Sequence, residues 1–235
     1  MFIRESVNVG GKEITIDTGR IAKQAGGAVL ISSGETVVLV TATTVHETRD
    51  IDFFPLTCDF IEKAYAGGKI PGGFFKREAK QRDEEILICR LIDRPLRPMF
   101  ADGFRNETQV IATLVSADPN IKPDVLAITG ASAALTISDI PLEESLAGIR
   151  IGRVDGEFVA YPTVEELEKS DLDLILAATR DAVVMVEGGA DQVEESVLID
   201  AIEFGHKAII PLLDLQEAMR KSVGKAKIEV QPPEK

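Results

Sequence analysis

Residues Pro71–Pro98 read PGGFFKREAKQRDEEILICRLIDRPLRP. A Gly72-Gly73 turn leads into two adjacent aromatics, Phe74 and Phe75, and then into the cations Lys76, Arg77, Lys80 and Arg82. Asp83, Glu84 and Glu85 come next, an acidic run that suits the positive end of a helix dipole. A helix is therefore expected from about Asp83 to Arg94. It carries Arg90 and Arg94 on one face. Pro95 is expected to end it, because proline disfavours helical geometry at the residue before it.

This stretch runs against the charge of its own chain. The 235 residues carry a formal net charge of -13. Yet from Lys63 to Arg82 there are six basic residues (Lys63, Lys69, Lys76, Arg77, Lys80, Arg82) and one acid, Glu78. The acidic balance argues against indiscriminate nucleic-acid binding over the whole surface, while the local reversal suggests a focused site for a polyanion. At 45% hydrophobic residues the chain can bury a core and is not expected to be disordered over most of its length.

Working outward, the preceding sixty residues read as β-structure. Gly10-Gly11 and Ser32-Ser33-Gly34-Glu35 each separate two β-branched runs, the pattern of a hairpin. Phe53 to Ile61 reads as a further strand. Downstream, Thr108–Asp118 reads as a strand and about Pro123–Ser138 as a helix whose small residues allow close packing on a sheet. A hairpin is expected around Asp155-Gly156, and another pair of strands turns at Thr179 to Asp181. Helices are expected from about Asp191 to His206 and from Pro211 to Val223, with 224–235 as a linker. Hairpins outnumber alternating β-α units, which favours an α+β domain with mixed sheets packed against helices over a doubly wound one. No G-x-G-x-x-G or P-loop pattern supports a nucleotide-cofactor site. Cys58 and Cys89 give neither a disulfide framework nor a zinc spacing, and read as small buried hydrophobes in a reducing cytoplasm. No signal peptide or membrane span is read, so no membrane partner is expected.

GGFFKRE followed by RLIDRPLRP resembles the first ribonuclease-PH-like core domain of bacterial polynucleotide phosphorylase. DFFPLTCDFIEKAYAGGKIPGGFF, NETQVIATLVSADP, ITGASAAL and VVMVEGGA resemble it too, in the same order, so the similarity runs over essentially the whole chain. It implies a ribonuclease-PH-like core (ribosomal protein S5 domain 2-like) over residues 1–223, with 224–235 leading toward an all-helical segment. It also implies the N-terminal part of a phosphorolytic 3′-5′ exoribonuclease that turns RNA and phosphate into nucleoside diphosphates and threads single-stranded RNA through a homotrimeric ring. Mg²⁺ would belong to the full-length protein, with none expected for this domain alone. Degradosome-type proteins are possible partners. By position, Phe74 and Phe75 fall at the channel constriction, with Lys76, Arg77, Lys80, Arg82, Arg90 and Arg94 as candidate RNA contacts. An aromatic ring stacks on any base without reading sequence, and adjacent cations neutralise phosphates.

Phosphorolysis needs phosphate held by cations and helix N-terminal donors, and carboxylates that hold a metal. Active relatives place a Gly-, Thr-, Ser- or Arg-rich phosphate loop just before the ITGA-type helix. Here that position reads KPDVLAITGA: Asp124 would repel phosphate, and Pro123 removes a backbone donor beside Lys122. Of the two expected metal acids, Asp173 matches one and Leu167 occupies the other position, with Glu165, Glu166, Glu168 and Asp171 close by as a source of a substitute pair. Asp173 is thus the catalytic candidate that the resemblance leaves, and its other reading is a strand-edge or turn carboxylate. Ring building and RNA channelling are expected of this half, with inorganic phosphate and catalysis in a second core. The alternative is a non-catalytic, exosome-like RNA-binding ring subunit.

Overall fold

The computed structural model describes residues 1–48, 51–72 and 80–230. Among these residues ten strands form two sheets. The first joins β1 (Ile3–Val9), β2 (Lys12–Thr18), β3 (Gly27–Ser33), β4 (Thr36–Thr48), β5 (Leu56–Glu62) and β6 (Asn106–Ser116) in the order β1-β2-β3-β4-β6-β5. Only the β5–β6 pairing is parallel. The second joins β7 (Ala147–Val154), β8 (Glu157–Ala160), β9 (Leu172–Ala178) and β10 (Val183–Ala190) as the antiparallel order β10-β9-β7-β8. The hairpins fall where the turn residues put them. At the first, Gly10 and Gly11 both take positive φ (57° and 80°), the geometry a two-residue turn demands, and Asn8 Oδ1 accepts the Gly11 N–H at 3.0 Å.

Among the described residues four α-helices pack with the sheets: α1 (Asp83–Leu96), α2 (Asp124–Ile137), the single turn α3 (Val164–Leu167) and α4 (Glu195–Val223). Every residue of α2 is buried: most are apolar or small, and the polar Asp124, Thr129 and Ser132 find partners inside the protein. Its two sides face different sheets. A Cβ on Gly130 would meet Val40 and Ile31 of the first sheet, and one on Gly148 of β7 would meet Ile128. The opposite face of the second sheet meets α4, where Gly205 lets Ile151 and Leu176 approach. The Ser132 hydroxyl donates to Gln216 Oε1 at 2.8 Å and accepts the Leu146 N–H at 2.9 Å, a satisfied buried network joining α2, α4 and the start of β7.

Helix α4 starts at Glu195, not near Asp191, and two further departures from expectation involve proline. Helix α1 does not stop at Arg94. It continues through Pro95 to Leu96 and then into a 3₁₀ turn, Arg97–Met99. Burial of Leu91, Ile92, Pro95 and Leu96 favours the extra turn. The guanidinium of Arg97 reaches back across the proline to Asp93, with contacts of 3.1 and 2.6 Å. The two helices expected at Asp191–His206 and Pro211–Val223 are one continuous α4. Pro211 removes the donor that the Lys207 carbonyl would have received. Lys207 lies on the exposed side, where water can serve that carbonyl, while Ile209, Leu212 and Leu213 around the proline are buried.

Candidate functional site

Phe74, Phe75, Lys76 and Arg77 lie outside the described residues. The ground on either side of them is described. A cleft of about 630 Å³ is lined by Lys63, Lys69, Pro71, Gly72, Lys80, Gln81 and Arg82, together with Asp59, Glu62 and Glu85. Its floor is organised by one buried carboxylate. Glu85 accepts the Glu62 N–H at 2.7 Å and the Arg82 N–H at 2.7 Å, so it fixes β5 to the start of α1. The Arg82 side chain pairs with Glu62 and lies 3.5 Å from Glu85. The hydrogen bond to Glu62 raises the Arg82 pKa above its ordinary value. Lys80 is exposed at the rim.

The other two candidate arginines leave α1 in different settings. Arg94 pairs with Glu187 of β10 and so ties α1 to the second sheet. Arg90 is exposed. Arg97 is structural: it holds Asp93 and also donates to the carbonyls of Phe54 (3.0 Å) and Leu56 (3.2 Å).

Asp173 is not a bare strand-edge carboxylate. Both its oxygens contact Arg150 Nη1, at 2.5 and 2.6 Å, while Arg150 Nη2 contacts Asp124 Oδ2 at 2.5 Å. The register explains the bridge. Gly148, Arg150 and Gly152 share the face of β7 that looks toward α2, and Asp173 sits directly opposite Gly152. With no side chain at Gly152, the long arginine reaches diagonally to Asp173 and forward to the first residue of α2. The Arg150 and Asp124 side chains are 8% and 7% exposed, whereas Asp173 is 44% exposed, so one end of the bridge is dry and the other wet. Next to it the Tyr161 hydroxyl donates to the Gly148 carbonyl at 2.7 Å, and burial pushes the phenol pKa up, which removes it as a base near neutral pH.

This arrangement does not suit a phosphate or a divalent cation. The Arg150 guanidinium already faces two carboxylates, and Asp124 fills the helix N-terminus with negative charge. Asp173, the one carboxylate matched to a metal ligand, is committed to Arg150. Among the described residues no group of three or more His, Cys, Asp or Glu side chains could hold a metal. Leu167 stands half-buried in α3, whose Thr163–Glu166 capping box makes the surrounding acids a helix start. Arg150 was not singled out from sequence. Its signal was there: an arginine between glycines two residues away on either side, in the otherwise apolar stretch AGIRIG of β7.

His206 Nε2 lies 3.0 Å from the Thr179 carbonyl and anchors the β9–β10 turn on α4. Cys58 and Cys89 are free and half-buried, less enclosed than their residue type suggested. Burial raises the pKa of both thiols. Among the described residues no helix is long and apolar enough to cross a membrane.

Residues 10–141 match the family model described as "3′ exoribonuclease family, domain 1", and residues 145–208 match domain 2 of that family. The polyribonucleotide nucleotidyltransferase of Sorangium cellulosum is 60% identical over 233 residues, covering 99% of this chain and 31% of that protein. The protein of the same name from Geotalea uraniireducens is 56% identical, covering 99% of this chain and 34% of its own length. That from Geobacillus kaustophilus is 54% identical over 96% of this chain. The chain thus spans about a third of the length of these relatives. Among solved structures, rice Rrp46 superposes with a TM-score of 0.71 at 15% identity, covering 93% of this chain and 94% of that one, a likeness of fold.

Proposed function

We propose a function from this premise: the chain belongs to the 3′ exoribonuclease family. It acts as the first core of a polyribonucleotide nucleotidyltransferase. Its work is ring assembly and RNA channelling, and a second core carries phosphorolysis. The observation that supports this division of labour is the Asp124–Arg150–Asp173 bridge, which spends on an internal contact the groups that phosphate or metal would need. Identities of 53–60% to proteins bearing the nucleotidyltransferase name favour this reading over an exosome-like ring subunit. In this reading single-stranded RNA is the ligand, inorganic phosphate and Mg²⁺ are handled by the second core, and the assembly is a cytoplasmic homotrimer open to degradosome-type partners.

Following ADP release from poly(A) with phosphate and Mg²⁺ tests the division. The chain alone is expected to give no phosphate-dependent release. Robust release, abolished by Asp173→Ala, would overturn it.

The channel reading puts Phe74 and Phe75 against bases, with Lys76, Arg77, Lys80, Arg82, Arg90 and Arg94 as the phosphate-facing set. Support comes from the lysines Lys63, Lys69 and Lys80 that line the cleft beside the segment and from the exposure of Lys80 and Arg90. Arg82 and Arg94 would have to release or share their carboxylate partners. In the assembled ring, Phe75→Ala is expected to weaken RNA retention by roughly 5- to 150-fold, the loss of one stacked base at about 1–3 kcal/mol. Arg77→Ala is expected to weaken retention and flatten its salt dependence by about one phosphate contact. Unchanged affinity of both variants at physiological salt would sink the channel assignment.

A further inference from the structure

The buried helix α2 ends inside the protein, and its last carbonyls must find donors there. The Ser138 N–H serves the carbonyls of Ala134 and Leu135. The rest come from a segment about ninety residues later in the chain. Lys227 Nζ donates to the carbonyls of Leu135 (2.8 Å), Thr136 (3.0 Å) and Ser138 (2.8 Å). The Lys225 N–H donates to the Ile137 carbonyl at 3.1 Å, and the Ile228 N–H to the Asp139 carbonyl at 2.8 Å. Every carbonyl from Leu135 to Asp139 is therefore served by residues 225–228. Lys225 Nζ extends the contact to the Gly26 carbonyl at 2.7 Å, and Val230 packs against the core.

We propose that residues 224–230 are a strap that caps the C-terminus of α2, with Lys227 as its latch, so that the order of the central helix depends on the course of the chain after α4. The folding unit then includes the strap and reaches at least Val230. The charges fit this role. Asp124 sits at the positive end of α2 and Lys227 at its negative end, each of the sign that stabilises a helix dipole. The latch is held under electrostatic stress. Burial, and then the neighbouring Arg220 of α4, bring the Lys227 pKa down to about 8, with Asp139 opposing them. A strap held by a handful of hydrogen bonds is a release point: a neighbouring domain or partner that draws it away uncaps the helix lying between the two sheets.

Amide hydrogen exchange on the full chain tests the device with two variants that act on different bonds. Lys227→Met keeps the aliphatic stem and removes the donors. Ile228→Pro removes the N–H that serves Asp139. Each is expected to speed exchange over residues 134–140 by roughly ten-fold, the response to losing a bond worth about 1.4 kcal/mol, while the β1–β2 and β9–β10 hairpins stay as in the parent. Unchanged exchange at 134–140 in both variants would overturn the proposal. So would an equal rise across the whole chain, which marks general destabilisation instead of loss of a cap.

Discussion

Arg150→Met is expected to destabilise the protein by about 3–5 kcal/mol, as breaking a buried ion pair from one side does. The reason is what remains. Asp124 is 5% exposed at the start of a wholly buried helix, and the substitution removes the guanidinium that faces it. Asp173 is half in solvent and recovers hydration, so the loss is concentrated on Asp124. The double variant Asp124→Leu, Arg150→Met is expected to be more stable than the single one, because replacing both members by apolar groups leaves no stranded charge. Urea denaturation with a shared m-value reads both effects. A single variant within about 1 kcal/mol of the parent, or a double variant no better than the single one, would show that the bridge does not hold α2 to the second sheet.

Gly27→Val is expected to cost about 3 kcal/mol or more and to lower the Tm by roughly 6–12 °C. Gly27 opens β3 where the first sheet meets α2. A Cβ there would lie 2.0 Å from the carbonyl oxygen of Ala134 and 3.0 Å from Ser138 Cβ. The obstacle is the backbone of a buried helix, so no rotamer change relieves it. Gly67 is the matched control. A Cβ there meets nothing within 4 Å, and Gly67→Ala is expected to stay within about 0.5 kcal/mol of the parent. Equal stability of the two variants would refute the close approach of β3 to α2.

The site was only partly legible in the sequence. The basic, aromatic-tipped segment announced itself by charge contrast, a property of composition over a few neighbours. The mismatch of Asp124 and Leu167 to a phosphate and metal site was also readable, because it depends on residue type at aligned positions. The group that answers Asp124 was not. Arg150 is 26 residues away and Asp173 a further 23, and only the β7–β9 register with Gly152 opposite Asp173 puts them in reach. The same holds for the tail, which composition suggests is a linker but whose Lys227 meets carbonyls 89 to 92 residues back.

By itself the sequence determined the hairpins, a small-residue helix packed close on a sheet and the α+β class. Each is set by local rules: alternation along a strand, glycine at positive φ, small side chains that let a helix approach a sheet. Tertiary structure decided where helices with internal prolines end and which charges pair. Those outcomes are differences between a local cost and a remote gain. Pro95 and Pro211 each weaken one turn, and burial of Leu96 or Leu212 and Leu213 outweighs that cost. Arg150 has a choice of carboxylates in an acidic chain until two sheets and a helix fix which two lie within 2.6 Å.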